Sequence, residues 1–438
     1  MDVVLLSRLQ FALTIMFHFI FPPISIGLAW YLVIIETLSL RTGKKVYAQI
    51  AQYFVKLLAV TFAVGVATGI VMEFQFGTNW AKYSEFVGDI FGAPLAAEGV
   101  FAFFLESGFM GLYLFGRDRV SKIVHWFSGL MVALGATLSA FWIIVAGSWM
   151  QTPAGYVINN GRAELVNFWA AVFNPSTLPR YFHTITSCWV AGAFLVIGVC
   201  AYLLLKKKAV EMAKAAMKVG MIMAVISSII VVFPFGHEHA RQVARTQPEK
   251  FAAIEGLYTS QSAAPLVVFA YPTNHPPELK APLHIPGLLS WMAFGNPNAT
   301  IRGINEFPAS DIPPLWMTFV SFHNMVLLGM LFIAVTLWGT LQLWRNKIWG
   351  QKKFLAFLVF LIPFPLFAIE LGWITAEVGR QPWIVYKLMR THDAVSKAVS
   401  GEAVLFSIIL FGCIYLLLGA LYCFLMVQEI NHTPAKAK

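Results

Sequence analysis

The feature that most constrains this chain is a series of apolar runs, each long enough to cross a lipid bilayer. A spanning helix needs roughly 20 mostly apolar residues; 58% of the 438 residues are hydrophobic and only 12% are charged. A soluble domain with this composition would expose large apolar patches. The pattern predicts an all-α, polytopic membrane protein with about nine transmembrane helices. They are predicted at residues 9–38, 52–79, 95–115, 124–150, 181–205, 218–236, 314–344, 354–376 and 400–428.

A long, proline-rich outer loop separates the sixth and seventh helices. It divides the chain into residues 1–236, with helices one to six, the loop at 237–313, and residues 314–438, with helices seven to nine and a polar tail. A structureless connection of that length is usually functional or disordered. Residues 247–256 have helix-compatible spacing, with Lys250 and Glu255 as charged positions. Simple solvation of these two charges is the alternative to a functional role.

The basic residues of the short loops predict the orientation in the membrane. Lysines and arginines follow helices one, three, five and seven, on the same side as the C-terminal Lys436 and Lys438. The positive-inside rule makes that side cytoplasmic and places the N-terminus outside. The net charge of +10 therefore indicates basic loops rather than nucleic-acid binding. The four cysteines lie in apolar stretches without CxxC spacing, which argues against disulfides, zinc and covalent haem attachment.

Several ionisable side chains fall inside the predicted helices, where their burial is costly and suggests function. At a rise of about 1.5 Å per residue, most of them lie in the outer half of the membrane. Glu106 lies about 12 Å deeper than Glu98. Packing alone gives no reason for such residue types to converge at one depth. The set comprises His18, Glu73, Glu98, Glu106, His183, His323, Glu370 and Glu377, with Met325 as a candidate sulfur ligand.

Three chemistries could use this set. Zinc or copper needs several ligands converging on one point, whereas these residues are spread over different helices. Haem fits better, because one axial histidine suffices for a high-spin iron and a histidine–methionine pair suits a low-spin iron. Glutamates also serve as proton relays in proton-coupled transporters. Composition and depth do not separate the haem protein from the transporter.

An ordered set of motifs along essentially the whole chain is more specific. The motifs are residues 7–14 (SRLQFALT) followed by His18, 73–80 (EFQFGTNW), 88–99 (GDIFGAPLAAEG), 103–107 (FFLES), 182–184 (FHT) and 379–383 (GRQPW). With these motifs the chain resembles subunit I of the cytochrome bd-type quinol oxidases. The resemblance implies a quinol:oxygen oxidoreductase of the bacterial cytoplasmic membrane. Such an enzyme oxidises quinol on the outer side and reduces O2 to water, taking protons from the cytoplasm without pumping.

The resemblance implies three cofactors: a low-spin haem b, a high-spin haem b and a haem d. Carried over by motif, His183 and Met325 would ligate the low-spin haem b. His18 would be the axial ligand of one high-spin haem and Glu377 that of the other. Glu98 would lie beside the haem at His18, as a second ligand or a proton donor. Which high-spin site holds haem d, and whether a haem b replaces it, stays open.

The resemblance also implies a quinol site and partners. Lys250 and Glu255 match the quinol-binding pair, with Glu255 accepting a proton and Lys250 positioning the headgroup. Arg8 and Arg380 would pair with haem propionates, because guanidinium matches carboxylate well. A second membrane subunit and a small single-helix subunit are implied as partners. The donor is ubiquinol or menaquinol.

Further residues are assigned to electron and proton transfer. Trp373 matches a tryptophan placed between haems. Glu106 is deep enough to receive protons from the cytoplasm, with Ser139 as relay and Glu98 as the last group before the haem.

The chain departs from the best-known pattern at three places. The outer loop is of the short type. His323 stands where an arginine is expected near the low-spin haem, so that haem's potential is expected to differ. Gly147 replaces a common asparagine, which concerns inhibitor sensitivity and oxygen access rather than the reaction class.

Overall fold

The computed structural model describes residues 2–274 and 277–432. Within these residues, nine helical spans are long and apolar enough to cross a membrane, so the predicted all-α polytopic fold is confirmed. Lys436 and Lys438, used above to predict orientation, lie outside the described residues. The spans are Val3–Thr42, Lys45–Thr78, Ala81–Phe115, Lys122–Gln151, Thr177–Leu205, Val210–Thr246, Leu315–Trp344, Lys352–Val378 and Gly401–Asn431.

These spans and the loops between them contain sixteen α-helices in the described residues. They are α1 (Val3–His18), α2 (Phe21–Thr42), α3 (Lys45–Thr78), α4 (Ala81–Ala97), α5 (Phe104–Phe115), α6 (Lys122–Gln151), α7 (Phe168–Val172), α8 (Thr177–Leu205), α9 (Val210–Ile230), α10 (His237–Thr246), α11 (Pro248–Glu255), α12 (Leu288–Phe294), α13 (Leu315–Trp344), α14 (Lys352–Phe360), α15 (Phe364–Val378) and α16 (Gly401–Asn431).

Short antiparallel strand pairs lie only outside the spans, as far as the structure describes the chain. The pairs are β1 (Tyr156–Asn159) with β2 (Arg162–Leu165), β3 (Gln261–Ser262) with β6 (Thr300–Ile301), β4 (Leu266–Asn274) with β5 (Pro277–Ile285), and β7 (Trp383–Val385) with β8 (Met389–Arg390).

The first span is broken where a single helix was predicted. Helix α1 ends at His18 and α2 begins at Phe21, with Pro22 and Pro23 in its first turn. Proline is tolerated in a first turn but removes a hydrogen bond from a helix interior. His18 therefore lies at the end of a helix.

Two other spans are longer than predicted and contain π-helical segments. The third starts at Ala81 rather than at residue 95, and residues Glu98–Phe103 are π-helical just after Pro94. The sixth is the span Val210–Thr246 rather than residues 218–236, with a π-helical segment around Pro234. Single-turn π segments are rare and often lie at functional sites, and both of these border the cavity described below.

The outer loop is not structureless. Its first ten residues continue the sixth span as α10, and α11 lies within residues 247–256, whose spacing is helix-compatible. Gly256 ends α11 with a left-handed φ of 66°, a common helix terminator. The division of the chain at residues 236 and 313 stays a prediction.

Helix α8 lies at the centre of the bundle. Its Ala193, Phe194 and Val196 are fully buried. Gly192 crosses α2 so closely that a Cβ there would come within 2.3 Å of the Gly27 backbone. Helix α16 instead lies at the periphery and exposes most of its apolar side chains, as lipid or another membrane subunit would require.

Candidate functional site

One cavity of about 2080 Å³ runs between the spans and under the outer loop. Pockets for a single small ligand are roughly 300–1,000 Å³, so this space can hold several large groups. It is lined by all the residues assigned above to haem, quinol or protons: Arg8, His18, Glu98, Glu106, Ser139, His183, Lys250, Glu255, Met325, Trp373, Glu377 and Arg380.

His18 is held in one tautomer by Thr68. The Thr68 hydroxyl lies 3.0 Å from the Val64 and Gly65 carbonyl oxygens, to which it donates. Its oxygen therefore accepts from His18 Nδ1, 2.9 Å away. A neutral imidazole then keeps its lone pair on Nε2, as an axial metal ligand requires. A Cβ at Gly69 would lie 3.2 Å from the ring, so the glycine makes room for it.

His183 has the same arrangement on the other side of the cavity. Its Nδ1 lies 3.1 Å from the carbonyl oxygen of Val231, which can only accept a hydrogen bond. The lone pair is again on Nε2. Val231 begins the second π-helical segment, so the irregular backbone supplies the carbonyl that orients this ring.

Met325 and His323 both lie on α13, but they differ in whether their ligand atoms are free to bind a cofactor. The Met325 sulfur borders α15, where a Cβ at Gly372 would come within 2.9 Å of it. His323 has both ring nitrogens near carbonyl oxygens, of Phe319 at 3.0 Å and Val267 at 3.1 Å. His323 thus lacks the free, oriented nitrogen that His18 and His183 present.

Glu377 lies within a cluster of buried cations. Arg380 forms an ion pair with it, and Arg180 Nη2 is 4.0 Å away. Lys250 Nζ donates to the Ala376 carbonyl at 2.9 Å and to Gln151 Oε1 at 3.1 Å. Lys250 is only 6% exposed, so it is not a solvated surface charge.

This cluster has an excess of positive charge. The two guanidinium groups of Arg180 and Arg380 face the single carboxylate of Glu377, and the amine of Lys250 lies close by. Burial lowers the pKa of Lys250 well below its usual value, and nearby Arg180 adds to the effect. Uncompensated buried charge costs several kcal/mol. The cluster therefore fits a bound group that carries carboxylates, as haem does.

Glu98 and Ser139 form a hydrogen-bonded pair, whereas Glu106 stands apart. Ser139 Oγ donates to Glu98 Oε1 at 2.6 Å. Glu106 is buried on α5 against Gly135 of α6, where a Cβ would come within 2.8 Å of the Glu106 nitrogen. No direct hydrogen bond joins Glu106 to Ser139 within the described residues.

Glu255 differs from Lys250 although both lie on α11. Five residues at about 100° each place them about 140° apart around the helix. Glu255 is 2% exposed and lines the cavity, and its Oε2 has no partner among the described residues. Burial raises its pKa to about 8. Such a carboxyl group can exchange a proton near neutral pH.

Some residues contribute to the site without having been predicted. Arg180 donates to the carbonyl of Gly147 at 3.0 Å. Gln151 connects Lys250 to the Glu377 segment. His239 packs near His183, with ring centroids 5.6 Å apart. Arg180 could have been found from its i, i+3 spacing to His183.

Glu370 is the one buried glutamate of the predicted set that does not line this cavity. Among the described residues, no three His, Cys, Asp or Glu side chains converge as ligands of a bare metal ion. His18 and His183 instead each present one oriented ring nitrogen, as haem ligands do. The fold and site thus define a multi-pass membrane protein with an interior suited to large, axially ligated cofactors.

Comparison with known proteins identifies the family. A model described as cytochrome bd terminal oxidase subunit I matches residues 6–434. The chain belongs to this family, and so to the oxidoreductases of respiratory chains. Family membership favours the oxidase over the proton-coupled transporter.

Named relatives agree over nearly the full chain. The cytochrome bd ubiquinol oxidase subunit 1 of Bacillus subtilis is 41% identical, over 98% of this chain and 94% of the relative. The cytochrome bd-II ubiquinol oxidase subunit 1 of Escherichia coli is 34% identical, over 99% and 97%. The structure of bd oxidase from Geobacillus thermodenitrificans superposes with a TM-score of 0.93 at 30% identity, covering 99% of both chains.

Proposed function

We propose that this chain is the haem-bearing subunit of a quinol oxidase that oxidises quinol on the outer side and reduces O2 to water. The observation that carries the proposal is the shared cavity. It brings two singly oriented histidines, a methionine, a glutamate among cations and an outer-loop carboxyl group into one space.

In this proposal the chain holds a low-spin haem b, a high-spin haem b and a haem d. His183 and Met325 hold the low-spin haem, and His18 and Glu377 hold the other two. When bound, the haems would accept electrons from quinol and pass them to O2. Arg8 and Arg380 hold the propionates, and the buried positive charge supports adding Arg180 to them.

Quinol binds between α11 and the cavity, where Glu255 accepts a proton from the substrate hydroxyl. Lys250 must exchange its bond to Gln151 or to the Ala376 carbonyl in order to position a headgroup. Trp373 lines the cavity and in this proposal lies between haems.

Protons for water come from the cytoplasmic side through Glu106, and Glu98 with Ser139 delivers them. Electrons and protons then arrive from opposite sides, which separates charge without a pump. Each charge moved stores roughly 2.3 kcal/mol per 100 mV. This proposal includes an outer N-terminus, a cytoplasmic C-terminus, a second membrane subunit and a small single-helix subunit.

Glu106→Gln is expected to slow O2 reduction about 10-fold or more, because an amide cannot release a proton. Haem spectra should stay unchanged, since Glu106 is not assigned as a ligand. The measurement is turnover and proton uptake in liposomes, with Gln342→Leu on α13 as a control at a buried polar position away from the cavity. Normal proton uptake in Glu106→Gln would remove this residue from the route.

Thr68→Val is expected to weaken haem retention at His18 by about 10- to 100-fold, the usual effect of losing a partner that orients a ligand. Valine keeps the shape of threonine but cannot accept from His18 Nδ1. The spectrum and midpoint potential of this haem report the change. Thr61→Val, two turns away on α3, is the matched control. An unchanged band and potential in Thr68→Val would show that Thr68 does not orient the ligand.

A further inference from the structure

The β4–β5 hairpin of the outer loop contacts α13 about two turns inside the first residue of that helix. His323 Nε2 lies 3.1 Å from the Val267 carbonyl oxygen near the base of the hairpin. His323 is eight residues, or about 12 Å, from the start of α13 at Leu315. Helix α13 ends at Trp344, next to the basic loop on the predicted cytoplasmic side. About 20 residues cross the hydrocarbon core, so counting back from Trp344 places its outer boundary near Met325. The base of the hairpin therefore lies at the depth of this boundary.

A second contact gives the direction of the hairpin. Leu279, farther along β5 toward the turn, lies beside Gly256, where a Cβ would come within 2.8 Å of Leu279 and 3.0 Å of Phe319. Phe319 is four residues closer than His323 to the start of α13. The base at Val267 thus lies deeper than the part that carries Leu279. The hairpin rises out of the membrane from base to turn.

The exposed side chains change in the same direction, from apolar at the base of the hairpin to charged near its turn. At the base, Val268, Phe269, Leu283 and Ile285 are 50%, 66%, 64% and 47% exposed. The exposed charged residues of the hairpin, Glu278 and Lys280, lie toward the turn. Exposed His284 lies between Leu283 and Ile285 at the base. The rest of the exposed surface there is apolar, which is unusual in water but normal against lipid. It continues onto the apolar face of α13, where Leu327 is 62% exposed.

The same segment forms the wall of the cavity. Val267 and Val268 of β4 line it, as do Leu288, Trp291 and Met292 in and around α12. Val268 and Trp291 are also at least half exposed, so they border an opening between cavity and surroundings.

We propose that the base of the β4–β5 hairpin, with α12, is immersed in the outer leaflet and forms the rim through which a lipid-dissolved quinol reaches Glu255. The identity of the substrate rests on the function proposed above, but the immersion does not. An isoprenoid tail remains in lipid at this rim while the headgroup enters the cavity. The occupant of the apolar surface is thus the bilayer itself.

Photolabelling tests the immersion directly. The complex is reconstituted in nanodiscs whose phospholipid carries a diazirine in the acyl chain, and labelled peptides are mapped by mass spectrometry. Labels are expected on the exposed Val268, Phe269, Leu283 and Ile285, as on Leu416 and Leu417 of α16, which are 77% and 74% exposed. Labels on α16 without any on the hairpin would overturn the proposal.

KM values for two quinols test whether the base of the hairpin forms the entrance for the substrate. Phe269→Glu is expected to raise KM about 10-fold for a long-tailed quinol and to leave KM for a tail-less quinol unchanged. Asn298→Glu places the same charge on an exposed polar position of the outer loop and should change neither. Equal losses with both quinols in Phe269→Glu would overturn the rim. If the unmutated complex oxidises neither quinol, the proposed function fails, whereas the labelling still decides the immersion.

Discussion

Replacing His183 by alanine is expected to abolish the low-spin haem signal while the other haem signals remain. The Val231 carbonyl accepts a hydrogen bond from Nδ1–H of His183, which leaves the Nε2 lone pair free to ligate the proposed low-spin haem. Alanine has no lone pair, and Met325 alone is a weak ligand because thioether sulfur donates poorly. Reduced-minus-oxidised spectra and extracted haem content of the purified complex measure the loss. Electron transfer from quinol should fall with it.

The matched control is His239→Ala, which removes the neighbouring ring without touching the assigned ligand. This variant should keep the low-spin band. Added imidazole should restore part of that band in His183→Ala, because it can occupy the space left by the side chain. Survival of every haem band in His183→Ala would show that another residue is the ligand.

The sequence predicts the parts of this fold that depend on apolar length. Nine spans follow from hydropathy because each must cross the same thickness of lipid. The internal breaks depend on single prolines: Pro22 could have indicated the break after His18, whereas Pro94 and Pro234 are accommodated by π-helical turns within continuous spans. A hydropathy window averages over many residues, so it does not detect these local breaks.

The candidate site shows a similar limit. Motifs predict His18, His183 and Glu377 as candidate ligands because their chemistry depends on residue type. They do not reveal that Lys250 donates to the Ala376 carbonyl next to Glu377, a contact between residues 126 positions apart that arises only when the outer loop folds against α15. The role of Thr68 likewise cannot be recognised from the sequence, since a threonine in an apolar helix usually forms a hydrogen bond only to the backbone of its own helix.

Replacing Glu255 by glutamine is expected to reduce quinol oxidation by about 100-fold or more, the usual range for losing a general base. Burial raises the pKa of Glu255 to about 8. Below that pH the carboxyl group is mostly protonated and cannot accept the quinol proton. In the unmutated complex kcat/KM should therefore rise with pH and level off above about 8, whereas Glu255→Gln should lack this rise.

Reduced stability of Glu255→Gln is not expected to cause its loss of quinol oxidation. A carboxyl group whose pKa is raised by folding stabilises the protein below its unfolded pKa, near 4.5, and loses that contribution as pH rises through about 8. Glutamine removes this pH-dependent loss, so the variant should be no less stable at pH 8. O2 reduction with an artificial electron donor should continue, and Glu306→Gln, an exposed change in the same loop, should keep the full pH profile. Because the artificial donor bypasses Glu255, loss of both activities would place this carboxyl group in the O2-reducing part of the cavity instead.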